Sequence, residues 1–374
     1  MPAIQTLVMT GDAHELGAAH GRAWAEPIRE LTEERLRLCR DRFWAGEDGG
    51  SADLAALAEA CWAAQRRYDP LTTAEIEGLA DATGVPARDL MVTAGFTDFV
   101  DAVRAASRHD QHAAVNDPGQ CTAALVAPAA AADGKPYLAQ TWDMHTSATP
   151  YVRMLDLRPS DQPAALVFTV TGCVGMVGLN EHGLGVGINN LVTSDGRPGV
   201  MWTSVVRRLL RAATADEALE LLKRAPLAGA HHYLLLDAAG AGYSVEATPT
   251  RTAVRTLRST LTHTNHCLSE EVAAVQPEKT GAAAQSTRLR LAAAEAWLDE
   301  HPAQLHRLGL RDLLTQRDAD TAIGSICHGP LPGYDVETGG AVVMSPADRL
   351  VDAVWGQPDR SAFESLTVAS ALPS

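Results

Sequence analysis

The stretch Gln120-Cys121-Thr122-Ala123-Ala124-Leu125-Val126-Ala127, its turn at Asp133-Gly134-Lys135, and the return Tyr137-Leu138-Ala139-Gln140-Thr141-Trp142-Asp143 decide how this chain is read. Thr122–Ala127 and Tyr137–Thr141 are short apolar runs separated by a turn-forming Asp-Gly, the pattern of two strands. Just upstream, Arg108 to Gln120 is polar and ends in Asn116-Asp117-Pro118-Gly119, which is loop chemistry. Cys121 therefore follows an accessible loop and opens the first strand of a new region.

That position poses a chemical question. A cysteine attacks as its thiolate, and a free thiol titrates near ~8.5. No histidine lies close in sequence to act as its base. If the Gln120–Cys121 bond is broken, the new α-amine, with a pKa of ~7.7–8.0, can serve as base to its own thiol. Accessible loops are where chains are cut. The plain alternative is a half-buried cysteine at a strand start.

Outward from this stretch the periodicity changes. From Asp12 to about Arg108, apolar residues recur at three- and four-residue steps: Leu31, Leu36, Leu38; Leu54, Leu57, Cys61; Ile76, Leu79, Ala80. This predicts about four helices and no strand. Thr72 with Glu75 resembles a capping box, and Gly84-Val85-Pro86 ends one helix and opens the next. After Gln120, strands are expected at Tyr151–Leu157, Ala165–Thr171, Met176–Leu179 and Gly183–Leu191. Two helices follow, Val200–Ala213 and one opened by Thr214. Strands resume at Tyr233–Leu236, Tyr243–Ala247, Thr252–Leu257 and Thr260–Thr264. Helices near Thr287–Glu300 and Pro302–Thr315 precede a closing hairpin, Ala341–Met344 with Leu350–Trp355. Strand runs with helices inserted in pairs predict α+β layers, not a parallel βαβ sheet.

Composition excludes several classes. The 374 residues are 46% hydrophobic and 21% charged, ordinary for a globular chain. With 31 basic against 46 acidic residues the net charge is −15, so neither nucleic acid nor an anionic membrane is an expected partner. Six cysteines with no C-x-x-C pair do not make a disulfide scaffold or a zinc module. Met1 to Thr10 has no signal-peptide pattern and no apolar run spans a membrane, so a cytoplasmic location is expected. Cys173, inside an apolar run, is expected to be core.

The stretch around Cys121 resembles the autoproteolytic acyltransferase/hydrolase family typified by fungal isopenicillin-N acyltransferase, a branch of the N-terminal-nucleophile hydrolases. That family opens a strand with a catalytic Cys-Thr and returns through a Gly-containing hairpin to Asn-Trp-Asp. Here Trp142-Asp143 is kept and Thr141 replaces Asn. The likeness continues in Gly178-Leu179-Asn180-Glu181-His182-Gly183-Leu184, in Tyr233–Gly240, and in His263-Thr264-Asn265-His266. Glu15-Leu16-Gly17-Ala18-Ala19-His20-Gly21 fits more loosely. Three departures stand out: Ala123 where the fungal pattern has a second Thr, Gln120 where it has Gly, and no arginine around Val336–Thr338.

The resemblance implies a four-layer αββα N-terminal-nucleophile fold with an N-terminal helical segment. Residues 1–120 would be released by cleavage at Gln120–Cys121 yet stay bound as a heterodimer with the catalytic part, 121–374. Cys121 would be the nucleophile, Asp143 would orient its α-amine, and Asn265 would donate to the oxyanion. Arg288, in Ser286-Thr287-Arg288, would meet a substrate carboxylate or pair on the surface. The expected activity is hydrolysis or acyl transfer on a small N-acyl amide, without a cofactor. Two alternatives stay open: a self-processing ligand-binding protein without turnover, and a zinc amidohydrolase using His263 and His266. Positions three apart on a strand face opposite ways, which disfavours the zinc reading.

Overall fold

The computed structural model describes residues 3–41, 52–107, 120–318, 320–330 and 335–369. Two sheets form its centre. The smaller is built on the pair anticipated above, β2 (Ala123–Val126) and β3 (Tyr137–His145). It adds β11 (Thr260–His263), β12 (Val336–Ser345), β13 (Leu350–Trp355) and β14 (Glu364–Thr367) in the order β11-β2-β3-β12-β13-β14. The larger sheet has the order β1-β4-β5-β6-β7-β8-β9-β10. Its strands are β1 (Thr6–Gly11), β4 (Val152–Pro159), β5 (Ala165–Val170), β6 (Val177–Asn180), β7 (Gly185–Leu191), β8 (Ala230–Leu236), β9 (Gly242–Ala247) and β10 (Thr252–Thr256).

Period-two alternation assigns the two faces of β2 and β3. Ala123, Leu125 and Leu138 join the core shared with the larger sheet. Ala124, Val126, Tyr137 and Ala139 pack instead against helices α10 (Gly281–Glu300) and α11 (Arg307–Leu314). One polar pin crosses between the sheets: Gln140 on β3 donates to the Ile188 carbonyl at 2.6 Å and accepts from the Ile188 N–H at 2.9 Å. On the far side of the larger sheet, α7 (Trp202–Leu209) and α8 (Ala215–Lys223) bury Leu209, Leu219 and Leu222. The order helix, sheet, sheet, helix is the four-layer αββα arrangement anticipated for the N-terminal-nucleophile fold.

The N-terminal part holds α1 (Ala13–Ala23), α2 (Ala25–Leu38), α3 (Leu54–Tyr68), α4 (Pro70–Thr83), α5 (Ala87–Ala94) and α6 (Phe96–Ala106). Helices α1 and α4 cross with their backbones almost touching. A Cβ on Gly17 would sit 1.8 Å from the Glu75 carbonyl oxygen, and one on Gly78 2.0 Å from that of His14. Only glycine fits there, which gives Gly17 of the Glu-Leu-Gly motif a structural reason.

Four expectations need correction. Among the described residues the first segment holds six helices, α1 to α6, where about four were expected. The first segment is not free of strands: β1 pairs in parallel with β4 at the edge of the larger sheet. Its pattern escaped notice because an edge strand at a terminus buries only Met9 fully. Strand β14 was likewise unread. Thr72 and Glu75 do not form a capping box: α4 begins at Pro70, Thr72 donates to the Asp69 carboxylate at 2.5 Å, and Glu75 pairs with Arg207. Gly84, with φ 73°, does terminate α4 as read. The loop expected upstream of Cys121 lies, at 108–119, outside the described residues.

Candidate active site

The strand pairing fixes the Gln120–Cys121 peptide. Gln120 and Asp143 exchange backbone hydrogen bonds: the Gln120 N–H donates to the Asp143 carbonyl at 3.0 Å, and the Asp143 N–H donates to the Gln120 carbonyl at 2.8 Å. The carbonyl of the bond expected to break thus already accepts a backbone donor. The Cys121 N–H donates to Asn265 Oδ1 at 2.8 Å. Both ends of this peptide are held by residues the sequence reading had named.

Behind it lies Arg290, fully buried on the inward face of α10. Its guanidinium donates to the Cys121 carbonyl at 2.7 Å, to Thr122 Oγ1 at 2.8 Å and to Asn265 Oδ1 at 3.0 Å, while its Nε donates to Ser286 Oγ at 3.1 Å. Ser286 in turn donates to the Gln120 side-chain oxygen at 2.9 Å. A planar fork with several donors suits this task, since it binds several fixed oxygens at once. Helical spacing explains the geometry: Ser286 and Arg290 are four apart and share a face. Arg288, two positions earlier, falls on the exposed face.

A second support comes from the larger sheet. Asn189 on β7 donates through Nδ2 to the Cys121 carbonyl at 3.2 Å. Its Oδ1 faces His232 Nδ1 at 2.8 Å, so that nitrogen carries the proton. His232 Nε2 then accepts from Ser244 Oγ at 2.7 Å. Burial, and then the positive field of His263, hold the His232 pKa well below its usual value, in keeping with a neutral ring. His263 stacks on His232 with centroids 3.6 Å apart and meets Glu246 at 2.8 Å.

Alternation along the strands separates thiol and carboxylate. Gln120 opposes Asp143 and Ala123 opposes Gln140, so Cys121 lies opposite Trp142. Opposed residues share a face, here the one between the sheets. Asp143 points with Thr141 to the other face, where it accepts from Thr338 Oγ1 at 2.8 Å and Thr141 Oγ1 at 3.3 Å, with His328 Nε2 at 3.6 Å. Asn265, expected as an oxyanion donor, here turns its oxygen to the Cys121 N–H and gives its Nδ2 to the Asn190 carbonyl at 3.0 Å.

The two histidines of the zinc alternative do not converge. His263 turns to Glu246, and His266 to Thr264 and Thr287. Among the described residues no three metal-binding side chains come together. Burial first, and then positive neighbours beginning with His263, lower the His266 pKa to about 4. The other five thiols are buried. Burial raises Cys39, Cys267 and Cys327 to about 12 and Cys61 to about 11, and it raises Cys173 as well. Cys173 is core, as read.

Arg290, Asn189, His328 and Thr338 escaped the sequence reading. Only Arg290 left a signal, the Ser286-to-Arg290 helical spacing; the others reach the site through tertiary folding.

Residues 130–359, more than half the chain, match the model of the family described as acyl-coenzyme A:6-aminopenicillanic acid acyl-transferase. The acyl-coenzyme A:6-aminopenicillanic-acid-acyltransferase 40 kDa form of Emericella nidulans is 27% identical over 132 residues, 34% of this chain and 37% of that protein. The match therefore spans little more than a third of that relative. Among solved structures, a mutant of the conjugated bile acid hydrolase from Clostridium perfringens superposes with a TM-score of 0.41 at 11% identity, covering 68% of this chain and 98% of that one. Penicillin V acylase from Agrobacterium tumefaciens gives 0.38 at 13% identity, covering 63% and 83%. On the family match, this chain belongs to the acyl-coenzyme A:6-aminopenicillanic acid acyl-transferase family.

Proposed function

We propose that the protein is a cysteine N-terminal-nucleophile amidohydrolase that processes itself before Cys121 and then cleaves a small N-acyl amide through a thioester. The observation that carries this reading is the Gln120–Cys121 peptide, whose carbonyl accepts from the Asp143 N–H and whose N–H is held by Asn265.

In processing, Cys121 Sγ attacks the Gln120 carbonyl carbon and the C–N bond breaks. The acyl group then rests on sulfur, and the proton lost by the thiol ends on the freed α-amine. The Asp143 N–H faces the oxygen on which negative charge develops, a contribution worth ~10²–10³ in rate for a single such donor. Water then hydrolyses the thioester, leaving a carboxylate on Gln120 and a free amine and thiol on Cys121.

In turnover, the α-amine takes the thiol proton as Sγ attacks a substrate amide. Asn265, whose Nδ2 here donates once, to the Asn190 carbonyl, keeps a second N–H for the oxyanion. Asp143, fixed by Thr338 and Thr141, is the carboxylate that orients the α-amine from across the pair. The protonated amine gives its proton to the leaving amine, and water or a second amine takes the acyl group from sulfur. Arg288, exposed on α10, is the candidate partner for a substrate carboxylate.

The segment 1–120 stays with the catalytic part in this reading. Strand β1, the buried Glu75–Arg207 pair at 2.8 Å, and the Arg211–Asp69 pair at 2.6 Å support retention. The test is a screen of N-acyl amides with the processed protein, reading released amine, beside Cys121→Ala. Cleavage of the chain with no amide turned over favours the ligand-binding alternative. Activity that is insensitive to alkylation and abolished by a chelator favours the zinc one.

A further inference from the structure

A cavity of about 20 Å³ lies where the N-terminal helices meet the space between the sheets. Arg35 on α2, Thr97 on α6, Trp142, Met144, Met176 and Trp202 are among its lining residues. It is otherwise apolar, yet three side-chain polar atoms of its lining residues are buried with no hydrogen-bond partner among the described residues: Arg35 Nε, Thr97 Oγ1 and Trp202 Nε1.

Arg35 is the unusual member. It is 3% exposed, and among the described residues it has no ion pair. One terminal nitrogen donates to the Thr93 carbonyl at 2.7 Å, and the guanidinium lies over the Phe96 ring at 5.5 Å. Glu34, its neighbour in the chain, attracts it without forming an ion pair, and neither contact neutralises the charge. A buried cation without a paired carboxylate costs several kcal/mol, and buried donors are ordinarily satisfied. The buried Arg207 of the same seam, by contrast, has Glu75.

The cavity also adjoins the nucleophile, because its Trp142 wall stands directly opposite Cys121 on the same face of the smaller sheet. A group held by Arg35 would extend past Trp142 from a carbonyl at Sγ. The volume suits a small terminal group, since a water needs ~10–15 Å³ by the same measure. Arginine and indole N–H can only donate, and the threonine hydroxyl can also donate. The complementary ligand is an acceptor with negative charge.

We propose that this cavity is a carboxylate subsite, with Arg35, Thr97 and Trp202 as its donors, so that the preferred amides carry a carboxylate reaching it from the reacting carbonyl. The proposal rests on Cys121 being the nucleophile. It makes the N-terminal segment a contributor to specificity as well as to folding.

The test compares kcat/KM on paired amides. Glutaryl against pentanoyl coumarylamide places the charge on the acyl half; pentanoyl-β-alanine against pentanoyl-propylamine places it on the amine half. Preference for the charged member of one pair identifies the source. The ratio within that pair should fall about tenfold or more in Arg35→Met and about threefold in the shape-conserving Thr97→Val, the loss of charged and neutral hydrogen bonds respectively. Glutarate and pentanoate should also raise the Tm of Cys121→Ala but not of Cys121→Ala/Arg35→Met or Cys121→Ala/Thr97→Val. If wild type turns over neither pair, the amidase reading fails, and the Tm arm still decides the subsite. No charge preference, or a preference and a Tm shift unchanged in both variants, overturns the proposal.

Discussion

Replacing Glu75 with Gln tests the seam that joins the N-terminal segment to the catalytic layers. Arg207 Nε meets Glu75 Oε2 at 2.8 Å, and the two side chains are 0% and 1% exposed. The Arg207 terminal nitrogens have no further hydrogen-bond partner among the described residues, and Arg211 adds positive charge nearby. Without the carboxylate, Arg207 becomes a buried charge with nothing to neutralise it. Removing one partner of such a pair typically costs ~3–5 kcal/mol. Replacing both partners with apolar or neutral groups is often close to neutral, so Glu75→Gln/Arg207→Met should recover to within about 1–2 kcal/mol of the parent. The assay is urea unfolding in a Cys121→Ala background, where one covalent chain unfolds. The seam argument fails if Glu75→Gln costs under about 1 kcal/mol, or if the double variant is no more stable than the single one. In the processed protein, the same substitution should let the N-terminal fragment leave on gel filtration in low urea while the parent fragments co-elute.

Further outcomes follow from the site. Asn265→Ala removes the acceptor of the Cys121 N–H and of one Arg290 donor, and conversion of precursor to fragments, followed on gels, should slow roughly 10–100-fold, the cost of leaving buried donors unsatisfied. Iodoacetamide at neutral pH should label Cys121 of the processed protein before any other thiol, because burial raises the other five; peptide mapping reads this. Burial lowers His20 and His145 to about 3, with Arg153 adding to the first and Arg35 to the second. Their folded pKa values lie below the unfolded ~6.5, so their contribution is complete above pH 6.5 and is lost as pH falls toward 3. Each should cost about 2 kcal/mol by pH 5 relative to pH 7, read as a lower urea midpoint.

Much of this was legible because local chemistry and tertiary role coincide around Cys121. A cysteine between a polar loop and an apolar run, followed by Asp-Gly and a second run, can hardly be other than a strand start, and β2 and β3 form as read. Strand runs broken by helix pairs pointed to α+β layers, and the four-layer order came from the family resemblance. What stayed hidden depends on tertiary contact. Strand β1 carries its pattern on one edge at one end of the chain. Glu75 beside Thr72 mimicked a cap because its partner Arg207 lies 132 positions away. Arg288 and Arg290 differ on paper only in the four-residue spacing of Arg290 from Ser286; the phase of α10 turns one to solvent and the other onto the Cys121 carbonyl. Asn189 is one of two adjacent asparagines on an apolar strand, and nothing local says which faces the site.

The central claim is that Cys121 becomes the chain terminus that attacks substrate. Intact-mass spectrometry of wild type and Cys121→Ala, with amide turnover measured on the same samples, tests it most directly. The wild type should give two fragments meeting at Gln120–Cys121 and release amine, and the variant one uncleaved chain that releases none. An uncleaved wild type that turns over amide, or a Cys121→Ala protein that still does, would contradict it.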